Sequence, residues 1–309
     1  MEKSQQVRIN PAAIPPFVKS IRGEIPPLPQ GPAPYHYFDG TLVTAQWIFV
    51  LDILNHCFWP DAGSAAWKIH YKGEILSGYW ALAASLTRAM EEKIPIHRAE
   101  TLAVLNRKTV DHIFRGRGEI PLLDERLANL QQAGQVLLDR FQGNFLHVLE
   151  EARGSATQLV LVVTAAFPSF NDTAAYRGKP VYFYKRAQLL TLDLWCAFSG
   201  KSWGALEDLD QLTAFADYKL PQVLRHLDII RYTPELSRRI DNLVQLAPGS
   251  PEEVEIRLAT IRAVELIRQE LAQEGNAVTC AQLDNWLWTL GQRSAYRSRP
   301  YHRTRTVFY

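Results

Sequence analysis

The chain has 309 residues, 47% of them hydrophobic, with 34 Lys and Arg against 32 Asp and Glu, a formal net charge of +2 and a pI near 8.4. That length fills one large core or two closely packed ones, and so even a charge balance excludes bulk attraction as a driver of tight nucleic-acid binding. Three scattered cysteines, Cys57, Cys196 and Cys280, in apolar surroundings argue for reduced thiols and a cytoplasmic setting, and the absence of any long apolar run or secretory start argues for a soluble protein.

Prolines crowd residues 11–34 (Pro15, Pro16, Pro26, Pro27, Pro29 and Pro32 among them), which reads as an extended arm over the fold. Regular structure is expected from Thr44, a plausible cap for a largely buried helix to Phe58. The alternation from Trp67 to Tyr71, the Lys72-Gly73 turn and Glu74-Ile75-Leu76 predict a short hairpin. Apolar residues at helical spacing then predict helices over about 79–92, 99–105, 109–115, 122–141, 145–152 and 157–167. Gly178 and Pro180 mark a turn before a strand-like Val181-Tyr182-Phe183, and a helix follows over 185–198, ended by Ser199-Gly200. Ser250-Pro251-Glu252-Glu253 opens a long helix to about Gln273, and Thr279 with Gln282 opens another to Leu290. The fold class is mainly α, a single helical globule with one or two small hairpins.

Eight histidines occur without His-x-x-x-His or Cys-x-x-Cys spacing, so no metal site is expected. Glycine-rich phosphate loops and a Gly-x-Ser-x-Gly elbow are absent too, and no cofactor is expected. Polar residues among aromatics at helix starts remain. In Phe215-Ala216-Asp217-Tyr218, just ahead of a helix start near Pro221, Asp217 has two readings. It is an N-cap, or a carboxylate at a pocket wall suited to a developing cation. Tyr184-Lys185-Arg186 puts two cations at a helix N-terminus, where the dipole disfavours them; they either bind an anion such as phosphate or are solvated. Asp284 and Trp288 share a helix face, as recognition of a purine-like base requires, although a core tryptophan and a first-turn charge give the same spacing. His56 fits a pocket wall or a satisfied helix. The tail from Arg293 to Arg305 is a solvated or nucleic-acid-binding cationic face, or it docks back through Tyr296, Tyr301, Phe308 and Tyr309.

Taken together, Asn55-His56-Cys57-Phe58-Trp59, Gly78-Tyr79-Trp80, Phe183 to Gln188, Phe215 to Tyr218 with Pro221-Gln222, Glu253 to Arg257 with Val264 to Arg268, and Tyr301-His302-Arg303 form six ordered blocks. In these the chain resembles the queuosine salvage proteins, the queuosine 5′-phosphate N-glycosylases, from about Thr44 to Tyr309. The resemblance implies a fold similar to the helix-hairpin-helix DNA glycosylases and cleavage of the N-glycosidic bond of queuosine 5′-monophosphate, releasing queuine for transfer RNA. The Pro-rich arm at 1–43 departs from the family pattern, and the resemblance implies an N-glycosylase domain at 44–309. By similarity Asp217 matches the catalytic aspartate and Lys185 the motif lysine near the sugar phosphate. Phe215 and Trp288 are then expected to sandwich the base, Asp284 to read its N–H edge, and Tyr218, Tyr184, Arg186 and His56 to complete the substrate contacts. The expected partner is this small nucleotide, with no membrane and no stable nucleic-acid complex. A DNA glycosylase and a non-catalytic RNA-binding protein using the basic tail are the rival readings.

Overall fold

The computed structural model describes residues 5–61 and 63–309. Its elements in chain order are β1 (Val7–Ile9), α1 (Ile14–Ser20), α2 (Leu42–Ile53), the hairpin β2 (Lys68–Tyr71) and β3 (Glu74–Ser77), and α3 (Gly78–Glu91). Then come α4 (Ala99–Ala103), α5 (Arg107–Ile113), α6 (Leu123–Arg140), α7 (Phe145–Ala152) and α8 (Ala156–Ala166). The hairpin β4 (Thr173–Tyr176) and β5 (Lys179–Tyr182) leads into α9 (Lys185–Ala197), α10 (Lys219–His226), β6 (Ile230–Tyr232), α11 (Pro234–Asp241), α12 (Pro251–Gln273) and α13 (Cys280–Leu290). The protein is mainly helical, and its described strands form three two-stranded antiparallel pairs.

Two apolar cores organise these elements. The larger gathers α2 to α9 around Trp47, Phe49, Phe145, Phe167 and Phe170, with the Phe49 and Phe145 rings stacked at 4.5 Å. The smaller packs α1 and α10 to α13 around α12, whose Ile256, Ala259, Ala263, Val264 and Ile267 recur at helical spacing and are fully buried. A third, minor cluster of Cys57, Trp59, Leu122, Tyr218 and Tyr309 joins the two.

Several local expectations change. Thr41, not Thr44, caps α2 by accepting from the Val43 amide, while the Thr44 hydroxyl turns back to Asp39. The N-terminal stretch is not all extended: β1 pairs in register with β6, Val7 opposite Tyr232, and α1 buries Ile14, Phe17 and Val18 in the α12 core. Two prolines sit at its first turn, where the missing N–H is harmless. Pro180 lies within β5 opposite Ala175 rather than in the turn, tolerated because a two-stranded ribbon has only edges.

The basic tail docks. Tyr309 and His302 are buried, the Arg303 carbonyl accepts from the Leu246 amide at 2.8 Å, and Arg305 pairs with Asp61. Its arginines are thereby partly committed to the protein itself.

Helices α4 and α6 meet backbone to backbone. A Cβ at Gly134 would stand 2.4 Å from the Ala103 nitrogen and 2.7 Å from the Ala99 carbonyl, so only glycine fits. Gly134→Ala is expected to destabilise the fold by about 1–3 kcal/mol through overpacking, lowering the melting temperature by several degrees. A melting curve superposable on the parent's would show that the two helices do not pack this closely.

Candidate active site

A cavity of about 390 Å³ opens between the two cores, within the range of small-ligand sites. Its wall comes from the loop after α2, the start of α3, one face of α9, the Phe215–Tyr218 turn, one face of α13, and the arm and tail. On α9 the lining residues Lys185, Leu189, Asp193 and Cys196 recur every three or four positions, which puts them on one face. Asp284 and Trp288 do the same on α13.

Buried guanidinium groups shape the wall. Arg186 donates to the Asp52, Ile53 and Ser169 carbonyls, and Arg126 to those of Leu54, His56, Cys57 and Pro121. The carbonyls that end α2 are satisfied in this way, and the His56–Trp59 loop is held across the cavity. Arg257 of α12 chelates Asp172 at 2.8 and 2.5 Å and donates from Nε to the Ala216 carbonyl at 2.9 Å. That bond fixes the turn carrying Asp217.

Asp217 combines both of its sequence readings. Its Oδ1 accepts from the Lys219 amide at 2.6 Å and the Leu220 amide at 3.2 Å, capping α10, yet the residue lines the cavity. Beside it Asp284 Oδ1 accepts from the Phe215 amide at 2.7 Å. Burial first, and then the charge of Asp217, pushes the Asp284 carboxyl well above its usual range.

Lys185 reaches the cavity among carboxylates. Its charge acts on Asp52, Asp193 and Asp284, and its Nζ makes no ion pair among the described residues. Burial, with Asp193 adding to it, holds Asp52 well up, and burial pushes Asp193 up to about 7. Tyr79, whose hydroxyl lies 2.6 Å from His36 Nε2, stands next to Asp193. The Tyr79 and Trp80 rings pack edge-on to Trp288 at 6.0 and 5.8 Å. Both ring nitrogens of His56 are buried without a partner, and burial followed by the Arg126 charge depresses its basicity, so the imidazole is neutral.

Seven of the nine candidates from sequence therefore share one cavity: Asp217, Lys185, Phe215, Tyr218, Asp284, Trp288 and His56. The other two stand outside it. Arg186 turns into the core, where carbonyls at the negative end of the α2 dipole relieve its charge in place of an anion. Tyr184 is the left-handed residue before α9, its ring against Tyr182. Sequence reasoning missed Asp193, Tyr79, His36, Lys219 and Arg297 as lining residues. The first was legible, since Asp193 lies two turns beyond Lys185 on the same face.

These features define a helical protein with a nucleotide-sized pocket walled by carboxylates and aromatic rings. Comparison with known sequences narrows the class: a family described as queuosine salvage protein matches residues 35–309. The chain is 48% identical over 309 residues to the queuosine 5′-phosphate N-glycosylase/hydrolase of Sphaerobacter thermophilus, covering 100% of this chain and 95% of that protein. It is 37% identical over 274 residues to the Mus musculus protein of the same name, 85% of this chain and 81% of the other. It is also 33% identical over 297 residues to the Schizosaccharomyces pombe one, 86% and 83% respectively. The chain belongs to the queuosine salvage protein family.

Because burial raises Asp193, its contribution to stability is full below the unfolded carboxylate range and is lost as pH rises toward about 7. Asp193→Asn removes that loss. The melting temperature of the variant relative to the parent is expected to climb between pH 5 and pH 8; a pH-independent difference would place the ionisation elsewhere.

Proposed function

We propose that this cavity hydrolyses the N-glycosidic bond of queuosine 5′-monophosphate, releasing queuine for reuse in transfer RNA. What carries the reading is family membership over almost the whole chain, with relatives that bear this activity in their names. The placement of Asp217 at the wall of the cavity supports it.

Loss of a base from a ribosyl carbon passes through an oxocarbenium-like state. In this reading Asp217 faces the anomeric carbon, and its carboxylate stabilises positive charge as it develops or bonds transiently to that carbon. Phe215 and Trp288 flank the flat base, and Asp284 meets its N–H edge. Tyr218 and neutral His56 add polar contacts from the turn and from the loop after α2. Lys185 stands on the cavity wall as a fixed cation whose charge draws Asp52, Asp193 and Asp284 back toward their ionised forms against the burial that raises them. Arg186 acts through the loop it holds rather than by contact.

The same reading extends to finer points. Residues 44–309 form the N-glycosylase domain, with 1–43 as an arm whose Pro29, Gly31, Ala33 and His36 close one side of the cavity. The fold is akin to that of the helix-hairpin-helix DNA glycosylases. The substrate is a small nucleotide rather than a polymer, with no stable nucleic-acid complex, in keeping with a cationic tail tied down on the protein. No helix among the described residues is long and apolar enough to cross a membrane. The reading carries a cytoplasmic setting with it, in keeping with three free, buried cysteines.

Incubation with queuosine 5′-monophosphate is expected to yield free queuine detectable by mass spectrometry; no release would refute the activity. Asp217→Asn, similar in shape and still able to cap α10, is expected to lower kcat by about two orders of magnitude or more. Turnover within tenfold of the parent would remove Asp217 from the chemistry.

A further inference from the structure

Charge is unevenly distributed round the cavity. One part of its lining brings Lys185 together with the carboxyl groups of Asp193 and Asp284. A second group of cations, Lys219 and Arg297, lines another part of the wall with Tyr301. Lys219 opens α10 and Arg297 belongs to the turn after α13, so the fold brings a helix start and a tail turn to one cavity wall.

Neither is ion-paired among the described residues. Lys219 Nζ lies 5.4 Å from the Tyr301 ring centroid and a long 3.5 Å from Gln222 Oε1. Arg297 is steadied by the Gly291 carbonyl at 3.0 Å and by Gln292 Oε1 at 3.1 Å, which leave other guanidinium N–H groups free. Asp217 is the acidic group whose charge reaches Lys219, and its Oδ1 already takes the Lys219 and Leu220 amides. Two cations on one cavity wall, neither with a carboxylate partner, make that part of the wall a place for an anion. Because those α10 amides are occupied, side chains must hold it.

We propose that Lys219 and Arg297, rather than Lys185, clamp the 5′-phosphate of the nucleotide. The inference rests on the reading of the cavity as a nucleotide N-glycosylase site. Lys219 is two residues from Asp217 on the same stretch of wall, which sets the clamp beside the carboxylate that, in that reading, faces the anomeric carbon. Beside Lys185 the same phosphate would meet the carboxyl groups of Asp193 and Asp284 as well as the ammonium. The assignment also gives the enzyme a basis for preferring nucleotide over nucleoside, since the nucleoside leaves the cation pair unrelieved.

The test is kcat/KM for queuosine 5′-phosphate and for free queuosine in the parent and in Lys219→Gln, Arg297→Gln, their double variant and Lys185→Gln, with melting curves to verify folding. The nucleotide-to-nucleoside ratio is expected to fall about tenfold or more in each clamp variant, and further in the double. A ratio within twofold of the parent's in both clamp variants, or one lost only in Lys185→Gln, overturns the clamp. If the parent releases base from neither compound, the activity itself is refuted, and calorimetric titration with ribose 5-phosphate decides the clamp separately. Binding to the parent that the double variant loses upholds it, whereas equal binding or none to the parent overturns it.

Discussion

Buried guanidinium groups donating to backbone carbonyls are the interaction on which the rest of this structure depends. A helix that ends beside a cavity leaves carbonyls that water cannot reach, and each unsatisfied one costs about 1–3 kcal/mol. Arg126 and Arg186 meet that need at the end of α2, from opposite partners in the chain, and Arg257 holds the turn before α10 in the same manner. Burial lowers Arg126 to about 9 and Arg186 to about 10, which leaves both cationic at neutral pH. Arg257 moves the opposite way: desolvation lowers it, but the charge and hydrogen bonds of Asp172 together with Tyr309 and Glu253 outweigh that. The two cores can therefore separate enough to leave a cavity without exposing raw backbone inside it.

Those cations also bear on the groups in the wall. The Arg126 charge helps keep His56 neutral, and Arg186 offsets part of the burial that drives Asp52 toward its acid form. Burial displaces Asp193 and Asp284 in the wall, and Asp52 behind it, upward from the usual carboxylate range.

Much of this was legible in the sequence wherever one local rule dominated. Helix α7 falls on its predicted bounds, and the Thr279–Gln282 capping box is present as read. The β2–β3 hairpin lies where alternation and Lys72-Gly73 placed it. What escaped depends on distant partners. β1 is three residues long and exists because β6 lies beside it, a pairing across more than two hundred residues that carries no local signature. Arg186 was read as a dipole-unfavoured cation needing an anion; the principle was right, but the relieving charge was a set of carbonyls from α2, 133 and 134 positions away. The cation pair at Lys219 and Arg297 likewise joins a helix start to a tail turn, visible only after folding.

Capping and catalysis, which competed as readings of Asp217, are compatible demands on one side chain. A cap fixes a carboxylate through short bonds to amides, here 2.6 and 3.2 Å, and both amides engage the same oxygen, Oδ1. Oδ2 makes no hydrogen bond among the described residues, so anchoring one oxygen does not occupy the other. Further restraint comes from Arg257 on the Ala216 carbonyl and from Asp284 on the Phe215 amide, which bind the turn on its other side. A carboxylate placed in advance does not reorganise as positive charge appears on the sugar, and in a water-poor cavity that placement is worth far more than the same charge in solvent. Helix α10 is thereby the support of the cavity wall as well as part of the core, and the commonest structural use of an aspartate supplies the rigidity that the proposed chemistry of Asp217 requires.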